Sequence, residues 1–187
     1  MTSLLLFPGA GAGRDNPCLV AIENAATAEI PKLKAVRADF PYRKAGRRAP
    51  DRPPVLLQAV RDEANALGRG KLFLGGRSMG GRICSIAVGD EEAPLKAAGL
   101  VLIAYPLHPP GKPDRLRVEH FPRLDVPCLF VSGTRDPFGT PDEMTEWTAT
   151  IPGPVEHVWI EGGGHDLRGA DSKVAAAVID WMRRRLR

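Results

Sequence analysis

Six apolar runs of strand length, Ser3–Phe7, Lys34–Phe40, Lys71–Leu74, Gly99–Ala104, Cys128–Ser132 and Val155–Ile160, alternate with segments of helical period, most of them bounded by Gly or Pro. Strands that are apolar along their length suit a sheet buried on both faces, and parallel neighbours need crossover segments between them. The alternation therefore predicts an α/β architecture, a six-stranded, mostly parallel sheet with helices on both faces. Five helical stretches lie between the runs. In residues 53–67 Leu56, Val60, Ala64 and Leu67 recur at about the helical period, and a final helix over about 170–186 carries Val174, Val178, Trp181 and Met182 on one side. Residues 105–126 break the pattern. Pro106, Pro109, Pro110, Pro113 and Pro122 exclude one long helix there, leaving a loop with at most a short helix near 115–121. A chain of 187 residues, 43% apolar, fits one domain over 1–187 and has no room for a second full one.

Charge decides less than it first suggests. The excess of 26 basic over 22 acidic residues is only +4, and it is concentrated in two places. Residues 43–52 hold Arg43, Lys44, Arg47, Arg48 and Arg52 against Asp51, and the last five residues hold Arg183, Arg184, Arg185 and Arg187. The second cluster suits the negative end of the final helix dipole. The first reads as a solvated basic loop, and without aromatic residues interleaved after Tyr42 it argues against nucleic-acid binding. Cys18, Cys84 and Cys128 are odd in number and far apart, with no C-x-x-C pair and no Cys/His cluster at zinc spacing. A reducing, cytoplasmic setting, no metal and no cofactor are the expectation. The apolar run before Pro8 is too short for a signal-peptide core, and nothing later reaches membrane-spanning length.

Gly76-Arg77-Ser78-Met79-Gly80 fits G-x-S-x-G. It directly follows the run Lys71–Leu74 and precedes a helical stretch with Ile83, Ile86 and Ala87, the strand–turn–helix setting that lifts a nucleophilic serine out of a sheet. The glycines let strand and helix approach closely. A serine that merely caps the helix is the competing reading.

A serine hydroxyl needs a base to take its proton and a third group to orient that base. His165, in Gly162-Gly163-Gly164-His165-Asp166, follows the last strand run and so lies at the carboxyl edge of the sheet, the edge where the serine turn also lies and where ligands of open α/β sheets bind. His157 falls inside a strand, and His108 and His120 in the proline-rich segment. Asp136, after the fifth run, meets the same edge condition, although Asp before Pro is also a common turn residue. Acyl transfer further needs backbone N–H donors for an oxyanion. Met79 follows the serine, and the Gly-rich loop Pro8-Gly9-Ala10-Gly11-Ala12-Gly13 offers Ala10. Nucleotide-binding motifs fail, because position 14 is arginine and Gly70-Lys71 precedes leucine.

The order Ser78, Asp136, His165 is that of the α/β hydrolases, and nearly the whole chain resembles the compact bacterial group described as dienelactone-hydrolase-like. Phe7-Pro8-Gly9-Ala10-Gly11, Phe40-Pro41-Tyr42, Gly76–Gly81, Gly133–Gly139 and Gly162–Asp166 carry the resemblance. It implies the three-layer α/β-hydrolase fold, Ser78 as nucleophile, Asp136 as acid, His165 as base, and Ala10 with Met79 as the oxyanion hole. Pro8 stands where many relatives have the histidine of a His-Gly pair. Dienelactone hydrolases proper use a cysteine nucleophile, so their lactone chemistry does not extend to Ser78. The first run here leads straight into the oxyanion loop, which implies a sheet two strands shorter than in relatives.

Only 58 positions separate Ser78 from Asp136, which leaves no room for a lid domain. Loops 8–17, 41–52 and 105–123 would then form the acyl pocket, with Gly9, Tyr42, Arg47, Arg48, Arg77 and Tyr105 as candidate substrate contacts. The expected partner is a small acyl substrate, an ester or thioester. Amide cleavage or acyl transfer by the same residues, and a non-catalytic protein-binding scaffold, remain as alternatives. The oligomeric state is not encoded in these patterns.

Overall fold

The computed structural model describes residues 1–187. Six strands, β1 (Thr2–Phe7), β2 (Leu33–Arg37), β3 (Lys71–Arg77), β4 (Gly99–Ile103), β5 (Cys128–Gly133) and β6 (Val155–Ile160), form one sheet in the order β2-β1-β3-β4-β5-β6. Every neighbouring pair is parallel, so the sheet is wholly rather than mostly parallel. The helices are α1 (Pro17–Glu29), α2 (Pro41–Lys44), α3 (Pro53–Ala66), α4 (Met79–Val88), α5 (Pro141–Thr148) and α6 (Asp171–Leu186).

Strand residues alternate between two cores. Leu5, Phe7, Leu74, Leu102 and Phe130 point to the face covered by α3, α4 and α5, where Val60, Ile83 and Met144 meet them. Leu4, Leu6, Phe73, Val101 and Leu129 point to the face covered by α1 and α6, where Leu19, Ile22, Val178 and Trp181 pack. This two-sided burial is why the strands read as continuous apolar runs. The strand order turns back at β1, which has β2 on one side and β3 on the other. The loops leaving the carboxyl ends of β1 and β3 therefore lead to helices on opposite faces, α1 on one and α4 on the other, the arrangement at which ligands of open α/β sheets bind.

Three elements differ from expectation. β2 ends at Arg37 because the chain turns at Ala38–Phe40 into the single helical turn α2, burying Phe40 against Phe7 with ring centres 4.8 Å apart. β3 runs through Gly75 and Gly76 to Arg77, since a β-carbon at Gly75 would strike the Val101 carbonyl and one at Gly76 the Phe7 carbonyl. In the proline-rich segment the only helical turn is a 3-10 turn at Phe121–Arg123, not one near 115–121. The chain there is held instead by the Arg117 N–H to the Leu107 carbonyl (2.9 Å) and the Tyr105 hydroxyl to the Arg117 carbonyl (2.6 Å). At the carboxyl terminus Arg184 and Arg185 both reach Glu156, and Arg183 reaches Glu29. That basic cluster is largely ion-paired as well as aligned with the dipole of α6. No helix is long and apolar enough to cross a membrane.

Candidate active site

Ser78 stands between β3 and α4 with φ +50° and ψ −119°, a left-handed conformation that costs a non-glycine residue energy. Its N–H is tied to the Ile103 carbonyl (2.8 Å) and its carbonyl accepts the Arg82 N–H (3.0 Å). The turn is jammed against the end of β1, since a β-carbon at Gly80 would meet the Phe7 carbonyl. The surrounding packing thus holds the strained conformation. The Ser78 side chain makes no helix-capping hydrogen bond. Its Oγ lies 2.8 Å from His165 Nε2.

His165 comes from the loop after β6, and two backbone links draw that loop to the one after β5. Thr134 donates to the Ile160 carbonyl (3.1 Å) and Arg135 to the Gly163 carbonyl (2.9 Å). Gly133 has no room for a side chain because Gly163 lies against it. This brings His165 Nδ1 to 2.8 Å from Asp136 Oδ2. Asp136 is 2% exposed, and its Oδ1 accepts the Phe138 N–H at 2.9 Å. An ionised carboxylate only accepts, so Nδ1 donates to it and Nε2 of the neutral ring is left to accept from Ser78. Phe138 stacks on the imidazole with ring centres 3.9 Å apart. Nothing in the sequence singled out Phe138 beyond its place two residues after Asp136.

The β1 loop lies directly beside the serine, and a β-carbon on Gly9 would be 3.4 Å from Ser78 Cβ. The N–H groups of Ala10 and Met79 have no acceptor within the protein. The Ala10 carbonyl accepts the Tyr42 hydroxyl at 2.8 Å, which ties the loop to α2.

Four of the expected substrate contacts have partners within the protein. Tyr42 and Tyr105 are buried, at 0% and 1% exposure, with their hydroxyls spent on the Ala10 and Arg117 carbonyls. Both hydroxyls tie loops of the carboxyl edge together. Arg77 donates to the His165 carbonyl at 2.8 Å, so its guanidinium braces the histidine loop. Arg47 pairs with Asp51 at 2.7 Å. Arg48 is exposed and forms no ion pair.

The remaining histidines are engaged elsewhere. His157 bonds Thr148 and stacks between Phe130 and Trp159. His108 lies 2.9 Å from the Pro109 carbonyl. His120 is buried with Nε2 2.8 Å from Ser85 Oγ. Asp166 turns to Arg168 rather than to His165. All three cysteines are buried, and burial pushes the thiols of Cys18 and Cys128 up to about 12, which leaves them poor nucleophiles. No three His, Cys, Asp or Glu side chains converge at metal-binding spacing.

Burial, then the charges of Arg123 and Arg82, hold the His120 pKa down at about 4. The unfolded chain regains an ordinary value near 6.5 and so takes up the proton first. Stability from this group is undiminished above about pH 6.5 and declines as pH falls from there towards about 4, by on the order of 3 kcal/mol. His157, also held down by burial, adds the same sign. Urea unfolding of the wild type and of His120→Gln at pH 7.5, 5.5 and 4.5 is expected to show a shallower pH slope for the variant. Identical slopes would refute the assignment.

The family described as "Alpha/beta hydrolase domain" matches residues 1–180. The match is to that domain and does not single out the dienelactone-hydrolase-like group. Among solved structures, the fold is similar to that of Est1E from Butyrivibrio proteoclasticus, with TM-score 0.77 and 16% identity over 99% of this chain and 88% of that one. It is similar to an alpha-beta serine hydrolase homologue from Coxiella burnetii, with TM-score 0.75 and 19% identity over 97% and 85%. It is also similar to the type II thioesterase BorB from the borrelidin biosynthetic cluster, with TM-score 0.71 and 16% identity over 100% and 93%.

Proposed function

Because the chain belongs to the alpha/beta hydrolase family, we propose that it is a serine hydrolase that cleaves small esters or thioesters through an acyl-enzyme on Ser78. The observation that carries this reading is the continuous hydrogen-bonded chain from Ser78 Oγ through His165 to Asp136, with both links at 2.8 Å. Esterases and a thioesterase share the fold, which supports the substrate class.

Ser78 Oγ attacks the acyl carbon while its proton passes to His165 Nε2, and Asp136 steadies the imidazolium through Nδ1–H. The carbonyl oxygen gains the negative charge and is met by the unpartnered N–H groups of Met79 and Ala10. Collapse of the tetrahedral intermediate breaks the bond to the alkoxide or thiolate, which leaves with the proton from Nε2. Water then gives a proton to Nε2, attacks the acyl-enzyme, and Ser78 recovers its proton as the acid departs. Residues 1–187 act as one hydrolase domain in this reading, and the three buried free thiols support a reducing, cytoplasmic setting.

Treatment with a fluorophosphonate probe, which loses fluoride to a nucleophilic serine, followed by peptide mapping tests the proposal. The adduct is expected on the peptide carrying Ser78 and is expected to be missing from Ser78→Ala. Folded protein that stays unlabelled would instead favour a non-catalytic binding scaffold.

A further inference from the structure

Two guanidinium groups, one on α4 and one on the proline-rich segment that leaves the carboxyl end of β4, have no carboxylate partner. Arg82 sits one turn into α4, its N–H bonded to the Ser78 carbonyl. Helical side chains lean towards the N-terminus, and that is the end of α4 at which Ser78 stands. Its Nε is buried and has no hydrogen-bond acceptor. Arg37, Arg47 and Arg61 each hold an aspartate or glutamate, whereas Arg82 forms no ion pair. Arg117 approaches from the proline-rich segment, which crosses the same edge. Its N–H is bonded to the Leu107 carbonyl, and the next residue, His108, is bonded through its N–H to the carbonyl of Phe138, whose ring stacks on His165. The Arg117 guanidinium has only a long contact, 3.4 Å, with the Pro106 carbonyl.

The two charges feel each other. Burial, and then the charge of Arg82, lower the Arg117 pKa. Around them, His120 is neutral at pH 7 because its pKa is held at about 4, and Arg123 is occupied by the Gly89 carbonyl. Glu119, a carboxylate of the same segment, is exposed and paired with neither arginine. Two partly desolvated cations with no carboxylate partner and one long carbonyl contact between them are favourable hosts for an anion.

We propose that Arg82 and Arg117 form an anion-binding subsite of the serine site, so that the preferred substrate carries a carboxylate or phosphate group beyond the scissile bond. This rests on the reading of Ser78 as nucleophile. It places recognition of an anionic group at the junction of α4 with residues 105–124, whereas in the basic loop at 43–52 Arg47 is already paired.

The test compares two matched pairs of esters on the full chain. In the first pair, p-nitrophenyl hydrogen adipate is set against its methyl ester, which places the charge in the acyl part. In the second, 3-carboxyphenyl butyrate is set against its methyl ester, which places the charge in the leaving group. The ratio of kcat/KM for the anionic over the neutral member is the readout. The wild type is expected to favour the anion in at least one pair by about 10–100-fold, the usual size of a charge-assisted contact, and less at high salt. Arg82→Gln and Arg117→Gln are each expected to reduce that ratio about tenfold, with partial recovery in the lysine variants. Ratios near one in both wild-type pairs would overturn the subsite, as would ratios unchanged in both glutamine variants.

Calorimetric titration of monomethyl adipate and of methyl phosphate into Ser78→Ala reads binding without catalysis and separates the two chemistries. Saturable binding of either anion that is lost in the Ser78→Ala/Arg82→Gln double variant supports the subsite even where neither ester pair is hydrolysed. Binding of neither anion, with the neutral esters turned over, overturns the subsite and leaves the serine-hydrolase reading standing.

Discussion

Replacing Ser78 with alanine is expected to reduce ester turnover about a million-fold, the loss seen when the nucleophile of such a unit is removed. The protein should remain folded. Alanine has to adopt the same left-handed backbone, φ +50°, that serine already tolerates, and the turn is held by neighbours that the substitution leaves alone. The Ser78 N–H stays on the Ile103 carbonyl, and Gly80 stays against the Phe7 carbonyl. The only side-chain hydrogen bond removed is the 2.8 Å link to His165. Thermal unfolding within a few degrees of the wild type, together with turnover at the level of a buffer control, is the expected pair of results. Retention of even one per cent of wild-type turnover in highly purified protein would show that another group performs the attack.

Asp136→Asn is expected to lower kcat about ten-thousand-fold with a much smaller change in KM, because the substitution keeps the shape of the side chain and reverses the direction of one hydrogen bond. Asp136 Oδ1 accepts the Phe138 N–H at 2.9 Å, and the asparagine carbonyl would keep that bond. The NH2 group must then face His165 Nδ1. It donates, so Nδ1 accepts and the ring proton moves to Nε2. The imidazole then donates to Ser78 and can no longer take its proton. Asp166→Asn serves as the control, since Asp166 contacts Arg168 and not the imidazole. Steady-state kinetics placing Asp136→Asn within tenfold of the wild type would remove Asp136 from the mechanism.

The candidate site divides sharply by how local its signals are. Ser78 was legible because a strand run, a G-x-S-x-G turn and a helical period occur in succession over fewer than twenty residues. His165 and Asp136 were legible because a strand followed by a polar loop marks the carboxyl edge wherever it occurs in a parallel sheet. Their approach to within 2.8 Å was not, because it depends on how the loops after β5 and β6 interlock at Gly133 and Gly163. The strand over Gly75 and Gly76 was missed for a related reason. Glycine read in isolation suggests a turn, whereas here it admits the backbones of β1 and β4.

Tyr42, Tyr105 and Arg77 carry the same lesson. Each lies in or beside a loop at the active edge, so position alone made each a candidate for touching substrate. In the fold two hydroxyls and a guanidinium are bonded to the backbone carbonyls of Ala10, Arg117 and His165, partners that position along the chain does not reveal. Arg82 and Arg117 moved the other way. Thirty-five positions apart, they carry no shared periodicity, and only the folding of residues 105–124 over α4 brings their charges together.

Hydrophobic period and the order of runs along the chain were enough to specify a parallel sheet, its helices and the edge where chemistry would gather, because those properties follow from backbone geometry repeated every two or 3.6 residues. Which side chains at that edge are buried, which are spent on carbonyls and which remain unpaired depends on contacts between segments distant in sequence. Those contacts exist only once both faces of the sheet have been covered.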